Sequence, residues 1–141
     1  MKKIKIYLDD VRSPIDKEWK VVRNYNQFCA IFDEYGFENI EIISLDHDLG
    51  DTAMQEYFNN VSPNFTLDYN NITEKTGMDC CKWLVEQWMN GKQLIDVVVH
   101  SANPIGSANM MGYINNYRMN IRKPQNCVRV NIPHTMDTII G

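Results

Sequence analysis

Two short apolar segments that each end in aspartate constrain this chain more than any other feature. Residues 3–9, KIKIYLD, alternate Ile4, Ile6 and Leu8 with Lys3, Lys5 and Tyr7, the two-residue period of a strand with one apolar face. Residues 40–46, IEIISLD, repeat the plan and close on Asp46. Three further segments read as strands: 19–24 (WKVVRN), 95–100 (IDVVVH) and 127–132 (CVRVNI). Between them lie stretches with helical spacing. Asn24 or Asn26 can cap a helix that carries Phe28, Ile31 and Phe32 and stops at Gly36. Thr76-Gly-Met-Asp79 resembles a capping box ahead of Cys81, Leu84, Val85, Trp88 and Met89. Asn103-Pro104 opens a third helix, with Ile105, Met111, Ile114 and Tyr117 as its expected buried side.

Strands separated by helices predict a parallel sheet with right-handed crossovers. Ligands of such sheets bind beyond the carboxyl ends of the strands. Asp9, Asp10, Asp46, His47, Asp48, His100 and Ser101 all stand at those ends. Three of the strands carry a polar face (Lys3 and Lys5, Glu41, Arg129 and Asn131) where a doubly buried parallel strand would be apolar. With only three strong helices, one sheet face is expected to be covered. The other is expected to be partly solvated, or covered by residues 47–73 or by a second subunit, which makes a homodimer through that face one expected assembly.

Composition narrows the class. The 141 residues are 44% hydrophobic and 23% charged, values for one packed domain rather than a disordered chain. The net charge of -4 opposes unselective coating of nucleic acid. No apolar run approaches a membrane span, and no long apolar region follows Met1-Lys2-Lys3, so neither membrane partner nor signal peptide is expected. Cys29, Cys80, Cys81 and Cys127 lack C-x-x-C spacing and read as buried thiols in a reducing cytoplasm. The expected organisation is a single domain over 1–141, with 47–73, rich in asparagine, as an inserted loop or lid.

The strand-end residues suggest chemistry. Carboxylates gathered from Asp9-Asp10 and Asp46 disfavour one another's ionisation unless a cation sits among them. Hard oxygen donors suit magnesium, with manganese and calcium as alternatives. Asp9, Asp10 and Asp48 are the expected metal ligands. Ser101, Asn103 and the helix start behind Pro104 offer donors to a phosphate, and Arg12 can bind one bidentately or pair with a nearby aspartate. His47 and His100 are the candidate acid and base, with Asp46 as a third catalytic group. Trp83, Trp88 and Met89 read as core, and Arg118, Arg122 and Lys123 as a solvated helix end.

The pattern resembles the receiver domain of response regulators: the acidic pair Asp9-Asp10, the aspartate Asp46 ending the third strand, and Ser101-Ala102 after the fourth. It departs where Ile132-Pro133 stand in place of the lysine and proline that follow the fifth strand in that family. Four blocks, LDDVRSP at 8–14, SLDHDLG at 44–50, TGMDCCKWL at 76–84 and HSANPIGSANM at 100–110, resemble the cyclic-phosphate processing receiver domain more closely. That resemblance implies a receiver-like (flavodoxin-like) α/β fold with a five-stranded parallel sheet in the order 2-1-3-4-5, a reduced first helix and no fifth helix. It further implies a phosphoesterase acting on cyclic phosphate ends of nucleotides or RNA. The missing lysine leaves a non-catalytic receiver-like signalling or ligand-binding module as the alternative.

Overall fold

The computed structural model describes residues 2–136. Strand β1 (Ile4–Leu8) leads through a short strand β2 (Arg12–Pro14) to β3 (Trp19–Val22), with no helix between them. Helix α1 (Tyr25–Tyr35) and strand β4 (Ile40–Leu45) follow. Next come α2 (Asp51–Glu56), a π-helical turn (Tyr57–Val61) and α3 (Ser62–Asn64). Helix α4 (Gly77–Met89), strand β5 (Asp96–Val99), helix α5 (Pro104–Asn120) and strand β6 (His134–Met136) complete the order.

The main sheet runs β3-β1-β4-β5, every pair parallel. This is the start of the receiver order. The fifth segment differs from expectation: it adds a single bridge, Val99 to Arg129, rather than a full strand. The Val99 amide donates to Val128 O and the Val130 amide to Val99 O. Beyond that point the chain leaves the sheet edge, and β6 pairs antiparallel with β2. No helix follows α5 among the described residues.

Local sequence explains the helix ends. Asn24 caps α1 by accepting from the Gln27 amide, and Gly36, at φ 80°, ends it. Thr76 and Asp79 form the reciprocal capping box of α4. Asn103 Oδ1 accepts from the Gly106 amide, and Pro104 fills the first turn of α5.

One sheet face holds the core. Ile6, Leu8, Val22, Ile43, Leu45, Val97 and Val99 pack against Phe28 and Phe32 of α1, Leu84 and Trp88 of α4, and Met110 and Ile114 of α5. Two expectations shift here. Met89 is 71% exposed rather than core, because the last helical residue of α4 overhangs the packed layer. The fully buried stripe of α5 runs through Gly106, Ser107, Met110, Ile114 and Arg118, while Met111 and Tyr117 pack against the core only partly buried. Small and charged residues occupy that buried side, so apolarity alone misplaces its phase.

The second face carries Lys5, Tyr7, Trp19, Val21, Ile42, Ser44 and Val98, none of which belongs to that core. Lys5, Trp19, Val21, Ile42 and Val98 are partly exposed. Residues 51–73 do not cover the lower part of this face. They fold into helical turns beside the rim, organised by Glu56, whose Oε1 accepts from Asn60 and Asn71 side chains and Oε2 from the Asp68 amide.

Candidate functional site

Register sets the site. Leu8 pairs with Val22 and with Leu45, and Leu45 with Val99. The four strands therefore end in one row, and the next residues are Arg23, Asp9, Asp46 and His100. Backbone bonds continue into this row: Asp9 N to Val22 O, Asp46 N to Leu8 O and His100 N to Leu45 O. Since Leu8, Leu45 and Val99 face the core, alternation turns Asp9, Asp46 and His100 to the second face.

Asp9 is the most heavily bonded group. Its Oδ1 accepts from the amides of Val11 (3.0 Å) and Arg12 (2.7 Å). Its Oδ2 accepts from Arg12 Nε at 2.7 Å and His100 Nε2 at 3.0 Å. Four donors fill the carboxylate's acceptor capacity. Burial alone would raise its pKa, but the bonds to His100 and Arg12 win and hold it below the usual value. Arg12 also reaches Asp46 Oδ1 with Nη2 at 3.3 Å. Of its two readings, the structure shows the ion pair. Arg23 fastens the turn from behind, donating to Asp9 O, Arg12 O and Ser13 Oγ.

Asp46 and Asp10 are poorly compensated. Burial, with Asp9 next to it, pushes the Asp46 carboxyl up to about 8. Burial and Asp9 push Asp10 up to about 6. Asp9, Asp10 and Asp46 each offer an oxygen within 4.8 Å of the others. This donor set suits a hard divalent ion. The lone pairs of Asp9 are committed, so Asp10 and Asp46 are the better ligands and Asp9 the anchor. Asp48 lies outside that trio. Its Oδ1 accepts from His47 Nδ1 at 2.7 Å and from Asn103 Nδ2 at 3.2 Å.

The two expected catalytic histidines point to opposite sheet faces. His100 stacks on Tyr7, with centroids 4.2 Å apart. With Nε2–H given to Asp9, its Nδ1 accepts from Ser44 Oγ at 2.7 Å. Burial lowers its pKa, in keeping with this neutral ring. His47 lies on the helix side. It gives Nδ1–H to Asp48, and its Nε2 accepts from Tyr69 Oη at 2.9 Å. Tyr69 in turn accepts from Asn109 Nδ2. The His47 ring lies against Gly106, where a Cβ would come within 2.4 Å of it. Both imidazoles are buried with both nitrogens engaged, and they do not face each other across a common space. Asn103 is likewise spent on its cap and on Asp48.

Two clefts meet at the rim. One, of about 310 Å³, is acidic. Asp10, Asp46 and Asp48 line it, with Met54, His134 and Met136 opposite. The other, of about 450 Å³, is lined by Arg12, His100, Arg129 and Asn131. Arg12, Ser101 and Ala102 form a wall common to both.

The family model described as the Cyclic-phosphate processing Receiver domain matches residues 4–116. The chain belongs to this family. No curated protein and no solved structure matches it. The family description ties this receiver-like fold to cyclic-phosphate processing, and the matched span holds Asp9, Asp10, Arg12, Asp46, His47, Asp48, His100, Ser101 and Asn103. Arg129 and His134 lie beyond it. The sequence reading missed both, and Tyr69 as well. Arg129 showed only as the polar face of a strand, and His134 had no motif around it. Tyr69 sat in a polar stretch without periodicity. No helix among the described residues is long and apolar enough to cross a membrane.

Proposed function

We propose that this member of the cyclic-phosphate processing receiver family opens cyclic phosphate ends of nucleotides or RNA at the junction of the two clefts, with a divalent cation, magnesium first among the choices, at Asp10 and Asp46. The observation that supports this reading is the shared wall: an acidic cleft and an arginine-lined cleft meet at Arg12 and Ser101. A cyclic phosphodiester bridging them would set its phosphoryl oxygens toward Arg129. The Nε of Arg129 is tied to Ser101 O at 3.1 Å, and the residue lines that cleft. Asp10 and Asp46 would hold the cation, which would supply Lewis acidity and offset their charge. Attack of water on phosphorus would break one ring P–O bond, and the proton lost by the water would pass to the departing ribose oxygen.

His134 is the best placed proton carrier. It is exposed, it lines the acidic cleft, and it meets Ile132 O through Nδ1 at 3.1 Å. His47 and His100 act instead as positioning residues for Asp48 and Asp9. The test is incubation with nucleoside 2′,3′-cyclic monophosphates and magnesium, manganese or calcium, read by phosphorus NMR. Turnover is expected with a divalent ion. Asp10→Asn should abolish it, and His134→Ala should lower it by about 10²–10⁴-fold. Absence of turnover with all three ions would defeat the reading.

A further inference from the structure

We propose that the lysine-lined cleft at the amino ends of the strands holds the single-stranded RNA that leads into the rim. The inference rests on the catalytic reading above and adds to it that the substrate is a polynucleotide end rather than a free mononucleotide. The cleft has a volume of about 440 Å³ and is lined by Lys2, Lys3, Lys5, Lys17 and Lys20 with only Glu18 and Glu41 in opposition. Five of the chain's 14 basic residues thus converge in a protein of net charge -4.

The two glutamates are already used. Glu18 meets Lys2 at 3.0 Å and Lys5 at 3.7 Å, and Glu41 meets Lys5 at 3.9 Å. Lys3, Lys17 and Lys20 are exposed and form no salt bridge among the described residues. They form a surplus of positive charge suited to backbone phosphates.

The face above the cleft supplies the second element of single-strand binding, an accessible aromatic ring. Trp19 is partly exposed, with the Lys5 ammonium 5.7 Å from its ring centroid. Tyr7, fully buried behind it, meets the Trp19 ring edge at 6.0 Å and stacks on His100, and so holds the Trp19 ring in place. β1 spans about 17 Å at the usual rise of about 3.3 Å per residue. That is room for a few nucleotides between the lysines and the rim. Exposed lysines beside the Trp19 ring suit a polyanion with stacking bases. An acidic polypeptide would use the charges and leave Trp19 without a partner.

Binding of a fluorescein-labelled single-stranded RNA 10-mer with a 2′,3′-cyclic phosphate end, followed by anisotropy across a salt series, tests this without any need for turnover. The variant Lys3→Ala/Lys17→Ala/Lys20→Ala should lower affinity by roughly 10- to 100-fold at 0.1 M salt, and the salt slope by about 2, at about 0.7 per phosphate contact. The matching triple Lys→Arg variant should bind as the wild type does. Turnover of a nucleoside cyclic monophosphate should be unchanged in both. Unchanged RNA affinity in the alanine variant overturns the proposal and leaves the catalytic reading standing. Equal, lysine-dependent binding of poly-glutamate overturns it in favour of an acidic protein partner. Lysine-dependent RNA binding with no turnover of any cyclic phosphate upholds the surface and removes the catalytic reading.

Discussion

Replacing Asp46 by asparagine should stabilise the metal-free protein at pH 8, although it removes a site residue. In the fold the Asp46 carboxyl is carried from 3.8 to about 8 by burial and by Asp9. The unfolded chain releases that proton near pH 4, whereas the folded chain retains it up to about pH 8. The native state therefore binds more protons across this window, and stability falls as pH rises through it. At about 1.4 kcal/mol per tenfold change in proton affinity, the full penalty is roughly 5 kcal/mol by pH 8. Asparagine never bears this charge. It is a weaker acceptor for the His47 amide (2.9 Å) and for Arg12 Nη2 (3.3 Å), which costs about 1–2 kcal/mol. The net expectation is a gain of about 3 kcal/mol at pH 8, and none or a slight loss at pH 4. Asp10, Asp9 and His100 also titrate, so the difference between variant and wild type is the informative quantity. Urea denaturation with chelator present, at intervals from pH 4 to pH 8.5, measures it. A variant that is no more stable than wild type at pH 8, or whose advantage does not grow with pH, refutes the account of Asp46 as an under-compensated carboxylate.

Two other substitutions probe how the rim is built. In Gly77→Ala the new Cβ would stand 2.0 Å from the Asp46 carbonyl oxygen and 2.8 Å from Met110 Sδ. Because a backbone carbonyl cannot yield as a side chain would, a loss of about 3 kcal/mol and of about 10 °C in melting temperature is expected in thermal denaturation. Tyr69→Phe removes the hydroxyl joining His47 to Asn109. Leaving His47 Nε2 without a donor should cost about 1–3 kcal/mol. Hydrogen exchange should show protection lost over 51–73 while the sheet keeps its own, and uniform or absent loss would count against Tyr69 as the tie.

Much of the scaffold was legible because single residues decide it. Alternating isoleucines place β1 and β4, and the Asp at each strand end falls in one row once the strands are parallel and in register. Asn24, Thr76 and Asn103 mark their helix starts by side-chain chemistry alone. The fifth strand was over-read: CVRVNI alternates well, yet only Arg129 bridges Val99, because β6 draws the following residues toward β2. The histidines show the other limit. Sequence placed His47 and His100 beside the rim, but which way each ring turns depends on strand alternation and on partners, Tyr69 and Ser44, that lie far away in the chain. His134 reaches the acidic cleft through the β2–β6 pairing, which no local pattern announces.

The position of Arg12 bears on what the site is suited to do. The receiver-like pattern ordinarily places a lysine after the fifth strand, and here that segment scarcely joins the sheet. Arg12 brings positive charge to Asp46 from the opposite side, and it is held tightly there. Asp9 binds both its Nε and its backbone amide, His100 binds Asp9, and Ser44 binds His100. Moving the guanidinium away from Asp9 would leave a buried carboxylate without its counter-charge, at about 3–5 kcal/mol. A cation that costs so much to displace is poorly suited to report a change at Asp46 by swinging to a new partner. It is well suited to keep one wall of two clefts fixed, which is what the proposed chemistry at this rim would require and what a signalling switch would not.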